Sequence, residues 1–77
     1  MLQKVREIIC EYVDIDPQLI RPGSRIRELG LNSYDFMNII ATCEQEFSVT
    51  IPDRDIHMLE TVGDVVNYLE DFLAAVK

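Results

Sequence analysis

The sequence predicts an all-α fold, a small antiparallel four-helix bundle of three main helices and one short one. Three observations lead there. Apolar residues recur at three- and four-residue steps in three separate segments. No segment alternates apolar and polar residues as a half-buried strand would. Two cap-like residues, Asn32 and Thr61, each stand three positions before an acid and directly ahead of an apolar periodic run. With 77 residues, one domain over 1–77 is expected, able to bury only about 60% of its unfolded surface, so a deep enclosed active site is not expected.

Leu2, Val5, Ile8, Ile9, Tyr12 and Val13 define one stripe of a first helix over about residues 2–14. Pro17 and the Pro22-Gly23 pair then break the helical pattern, and Asp14 to Asn32 reads as a long ordered loop. A connection of that length in so short a chain carries structure or function. Its apolar residues Leu19, Ile20, Ile26, Leu29 and Leu31 are the expected anchors to a core.

Asn32 caps a second helix that should stop near Phe47, with Asp35 placed as the acidic half of a capping-box-like arrangement. Phe36, Ile39, Ile40, Cys43 and Phe47 form its inner stripe, and Asp35, Asn38, Thr42, Gln45 and Glu46 fall on wetter faces. Pro52 excludes helix at Ile51, which leaves Asp53 to Leu59 for a short third helix with Ile56 and Leu59 inward. Thr61 and Asp64 open a fourth helix that runs to about Ala75, with Val65, Val66, Leu69, Phe72, Leu73 and Val76 on its apolar side.

The charge is −7 and unevenly spread. Residues 1–27 hold four acids and five bases, whereas residues 28–77 hold ten acids and two bases, Arg54 and Lys77. Such a field disfavours nucleic acid and anionic membrane surfaces and steers in partners with basic patches. Cys10 and Cys43 sit among apolar residues at helical spacing, as buried reduced thiols do. The N-terminus has no apolar run of the signal-peptide kind and no segment reaches the length of a membrane span, so a cytoplasmic protein is expected.

No catalytic constellation is visible. The single histidine, His57, lies on the short helix without a partner motif and reads as a partly exposed helix residue. Two cysteines and one histidine at these separations match no zinc spacing. Asp14-Ile15-Asp16 opens like a calcium loop, but Pro17 follows and Leu19 occupies the sixth position, where glycine is needed. No metal site and no enzyme are expected. What remains is Ser33, a hydroxyl at the first helical position after Glu28-Leu29-Gly30-Leu31-Asn32. The free N–H groups and positive dipole end there favour a phosphate on that oxygen. Serines at helix starts are common, so this feature alone decides nothing. Ser24 and Ser48 lack the setting.

The sequence resembles the acyl carrier protein family along essentially its whole length. Four features match in order: Leu29-Gly30-Leu31-x-Ser33, Glu44-x-Glu46-Phe47, Ile51-Pro52-Asp53, and Thr61-Val62-Gly63-Asp64-Val65. The resemblance implies a carrier rather than a catalyst. Ser33 would bear a covalent 4'-phosphopantetheine arm, taken from coenzyme A by a separate phosphopantetheinyl transferase, whose thiol holds acyl groups as thioesters. It further implies a monomer that docks acyl-processing enzymes through Asn32, Tyr34, Asp35, Asn38, Glu44 and Glu46. The family shelters its cargo among bundle residues, here Phe36, Ile39, Ile40, Ile51, Ile56, Leu59 and Val65, all of which also serve as ordinary core.

The chain departs from the family where Asn32-Ser33-Tyr34 replaces the common Asp-Ser-Leu, and where Asn38 and Gln45 stand in place of frequent Glu. Three charges fewer on that helix point to a dedicated pathway, fatty-acid-like, polyketide or otherwise specialised. An aminoacyl or peptidyl carrier, and an unmodified acidic interaction module, are the alternatives.

Overall fold

The computed structural model describes residues 1–75 and contains α1 (Leu2–Cys10), α2 (Ser33–Phe47), a four-residue α3 (Asp53–Ile56) and α4 (Val62–Ala75). Among the described residues there is no strand, only an isolated bridge between Arg25 and Thr61. The all-α expectation of three main helices and one short one therefore holds, and Val76 lies outside the described residues.

Each main helix buries the stripe that its spacing dictates. Val5, Ile8 and Ile9 from α1 meet Ile39, Ile40 and Cys43 from α2 and Val62, Val65 and Leu69 from α4. Phe36 and Phe47, expected inside, are half-buried at the edge of this core. The Cys10 and Cys43 thiols are free; burial, with help from Glu44 and Glu46, pushes Cys43 up to about 11, so it stays protonated and unreactive at neutral pH.

Two boundaries differ from the sequence reading. The first helix ends at Cys10 rather than 14, because Glu11 and Tyr12 donate to Ile8 and Ile9, three residues back, and the last turn tightens. The Tyr12 hydroxyl then meets Thr42 Oγ1 at 2.8 Å and ties this end to α2. The short helix stops at Ile56 instead of Leu59, where Met58 and Leu59 bond three residues back to Asp55 and Ile56. Tyr68 OH donates to Asp55 Oδ2 at 2.7 Å, which moors α3 to α4 and raises the phenol pKa.

The long loop is structured. It contains two 3-10 turns, Pro17–Leu19 and Ile26–Leu29, the second ended by Gly30 at φ 85, a left-handed conformation that suits glycine. Ile20 and Ile26 are the buried anchors, while Leu29 and Leu31 are half-buried. Leu19 was expected inward and is 60% exposed, because the first turn is too short to bury both Leu19 and Ile20. Arg6 Nε donates to Ile20 O at 2.7 Å. Three backbone bonds join the loop to the start of α4: Ile26 N–H to Glu60 O, Val62 N–H to Ser24 O and Gly63 N–H to Pro22 O, the last at 2.7 Å. A Cβ on Gly63 would lie 2.8 Å from Pro22 O, so this approach requires glycine.

Candidate functional site at the start of α2

Asn32 is an N-cap in extended conformation, and its Oδ1 accepts from Asp35 N–H at 2.7 Å. The arrangement is only half a capping box. Among the described residues the Asp35 carboxylate makes no return bond to Asn32 N–H, contrary to the sequence expectation. Ser33 and Tyr34, the first two residues of α2, precede the first intrahelical bond, which Phe36 N–H makes to Asn32 O, and present N–H groups without an intrahelical partner. Both side chains are exposed, Tyr34 by 74%.

Ser33 lies on the rim of a pocket of about 400 Å³. Arg25 with Ile26, Arg27 and Glu28 of the second 3-10 turn forms one wall, Phe36 and Met37 from α2 another, and Ile56, His57, Leu59 and Glu60 from α3 and beyond the third. The loop's bonds to the α4 start hold the first wall in place. Further inside, a cavity of about 10 Å³ lies among Val5, Ile9, Ile26, Leu31, Phe36, Ile39, Val62 and Val65, barely room for one water.

The expected acyl-lining residues thus divide. Phe36, Ile56 and Leu59 line the outer pocket, Phe36, Ile39 and Val65 line the small inner cavity, and Ile40 and Ile51 are buried core in neither. The expected docking residues also divide. Asn32, Tyr34 and Glu46 are exposed, and Asp35 and Asn38 are half-exposed. Glu44 has an internal task, since its Oε2 accepts from Ile51 N–H at 2.9 Å and fastens the turn after α2. Sequence reasoning did not place Arg25, Arg27, Glu28, Met37 and Glu60 beside Ser33. Met37 stands four residues after Ser33 on α2, a helical spacing that could have found it; the approach of the loop to Glu60 through backbone bonds brings the other four there, and backbone bonds leave no mark on side-chain spacing.

The arrangement suits a phosphate ester. An exposed hydroxyl sits at the positive end of a fifteen-residue helix, with two unpartnered N–H groups, an open pocket beside it and no buried unpaired polar side chain among the described residues. The profile of the phosphopantetheine attachment site family matches residues 3–69. The chain belongs to that family. It is 36% identical over 76 residues to the acyl carrier protein of Phenylobacterium zucineum (strain HLK1), covering 97% of this chain and 96% of that protein. The acyl carrier protein of Bdellovibrio bacteriovorus is 41% identical over 68 residues, covering 87% of each chain. A solved structure of the acyl carrier protein from Enterococcus faecalis superposes with a TM-score of 0.76 at 35% identity, over 88% of this chain and 87% of that one.

The chain is thus an acyl carrier protein, a carrier and not an enzyme, with a covalent 4'-phosphopantetheine. The group supplies a terminal thiol on which acyl chains ride as thioesters. Among the described residues no helix is long and apolar enough to cross a membrane.

Proposed function

We propose that Ser33 is the attachment point of the phosphopantetheine arm and that the carrier serves a dedicated acyl-transfer pathway. The observation that carries the first part is the exposed Ser33 hydroxyl at the open start of α2, on the rim of the 400 Å³ pocket. Ser24 Oγ is engaged with Arg21 N–H and Ser48 lies past the far end of the helix, so neither shares this setting. The α2 start supplies the hydroxyl, the helix dipole steadies the phosphodiester once formed, and Tyr34, Met37 and Glu46 are exposed for docking.

The second part rests on charge. Asn32, Asn38 and Gln45 are neutral on the helix that partners would meet, and rim charges govern encounter and partner choice more than affinity. A transferase and acyl-processing enzymes with basic patches are the partners on this reading, met by a monomer in the cytoplasm.

Intact mass after incubation with coenzyme A, magnesium and a promiscuous phosphopantetheinyl transferase tests the assignment. Wild type gains one phosphopantetheine and Ser33→Ala gains none. A gain on Ser33→Ala, or none on folded wild type, overturns it. The loaded carrier, offered to a fatty-acid ketosynthase, turns over more slowly than an Asn38→Glu, Gln45→Glu variant; equal rates overturn the dedicated-pathway half.

A further inference from the structure

Two spaces in the molecule lie on either side of one aromatic ring. The open pocket of about 400 Å³ beside Ser33 and the closed cavity of about 10 Å³ inside the bundle share two lining residues among those described, Ile26 and Phe36. Ile26 is buried and pinned by its N–H bond to Glu60 O, so it belongs to the fixed frame. Phe36 is half-buried and stands three residues after Ser33, one turn along the same face of α2. Leu31, the other half-buried side chain on the inner cavity, does not line the pocket beside Ser33. The way from Ser33 to the core therefore runs past the Phe36 ring.

An inner cavity of that size admits no part of a hydrocarbon chain unless a side chain gives way. Its remaining walls, Val5, Ile9, Ile39, Val62 and Val65, are buried on three packed helices, which leaves Phe36 as the one able to turn outward on this route. Turning it out exposes an aromatic face to water. A chain that takes its place buries an area of the same order and loses the freedom of its own bonds in doing so. The exchange gains little apolar burial and loses entropy, so the bundle as built does not reward entry.

We propose that Phe36 keeps the acyl chain out of the bundle, so that cargo rests in the open pocket beside Ser33, whose mixed charged and apolar lining suits short or polar-substituted acyl groups over long unbranched ones. The proposal rests on Ser33 as the attachment point and deepens the dedicated-pathway reading by naming its class of cargo. Phe36 is on this account a specificity residue: it sets which chains gain from the protein, and it takes no part in attachment. Removing the ring joins the two spaces. Each methylene of the chain that then leaves water multiplies the sheltered population by about four.

The test loads wild type, Phe36→Ala and Val65→Ala with butanoyl-, octanoyl- and dodecanoyl-phosphopantetheine from the matching coenzyme A thioesters, with Ser33→Ala in parallel and loading checked by intact mass. Hydroxylamine then takes the acyl group from sulfur as a hydroxamate and frees the thiol, at a rate that falls when the chain draws the thioester into the protein. Val65 lines the inner cavity alone, so Val65→Ala enlarges that cavity without opening it. Wild type and Val65→Ala release all three chains at one rate. Phe36→Ala releases octanoyl about tenfold more slowly than butanoyl, the effect of two buried methylenes. Phe36→Val, which keeps part of the side chain, shows the same trend over a smaller span and serves if Phe36→Ala does not fold. A rate that falls with chain length in wild type or in Val65→Ala as steeply as in Phe36→Ala, or in none of the proteins, overturns the role of Phe36 and leaves the attachment site standing. Loading of Ser33→Ala overturns both.

Discussion

Two helix starts in this chain carry the same local signature and do opposite things. At α4, Thr61 Oγ1 accepts from Asp64 N–H at 3.1 Å, and Asp64 Oδ2 accepts from both Glu60 and Thr61 N–H at 3.0 Å. The first helical residue there, Val62, is fully buried, and the second, Gly63, is pressed against Pro22. At α2, Asn32 caps Asp35 N–H but receives nothing back, and the first two residues, Ser33 and Tyr34, face solvent. One start is closed by a reciprocal cap and by the loop packed over it. The other keeps its donors, and the same loop stands off as the far wall of a pocket. A helix start is a binding feature only where the fold leaves its donors unspent.

The sharpest way to break this contrast is to exchange the residues at the first helical position. Val62→Ser removes packed methyl groups and places a hydroxyl at a site with no solvent access, at a cost of about 3 kcal/mol. Ser33→Val, on the exposed start, changes stability by less than about 0.5 kcal/mol. Urea titrations of the two variants give the ratio, and similar losses at both sites would mean that the two starts are not differently buried.

Next in size is the cap itself. Asp64→Ala leaves two backbone donors without their acceptor and costs about 1 kcal/mol at pH 7. The effect depends on pH in a defined sense. Bonds from Glu60 and Thr61 N–H hold the Asp64 carboxyl below its ordinary 3.8, so its contribution is complete above 3.8 and lost as pH falls through the lower folded value. The stability difference between wild type and Asp64→Ala therefore narrows in acid. A difference constant from pH 7 to 3 contradicts this account.

These two starts also mark how much was legible beforehand. The helices, both caps, the exposed place of Ser33 at the α2 start and the family resemblance follow from periodicity and motif, because each is written in side-chain identity along one segment. The half-formed box at Asp35 was not legible, since Asn32-x-x-Asp35 and Thr61-x-x-Asp64 read alike and differ only in where the carboxylate turns. The charged lining of the pocket was also hidden. Arg25 and Arg27 line the same pocket as Ser33 because Ile26, Val62 and Gly63 donate their N–H groups between loop and α4 start, and main-chain donors are common to every non-proline residue. Leu19 shows the reverse error: an apolar residue beside Pro17 promised an anchor, and the tight turn gave the buried place to Ile20.

The smallest stability effect belongs to Asn32→Asp, and it sharpens the contrast most. Asparagine and aspartate cap helices about equally, so the unmodified variant differs from wild type by at most about 0.5 kcal/mol, with the new charge favoured by the helix dipole. Function should respond in two opposed directions. A negative charge next to Ser33 restores the more common family pattern and raises the rate of modification by a general-purpose transferase several-fold, roughly 3- to 10-fold for one rim charge. The same charge then sits beside the phosphodiester and offsets part of what the unpartnered N–H groups of the α2 start contribute, so modification raises the melting temperature less than in wild type. Stopped-time intact mass and paired melting curves measure the two separately. Faster modification with an undiminished rise would retain the open start as a recognition site and remove its part in holding the phosphate; a fall in both would place the role of Asn32 in the cap alone.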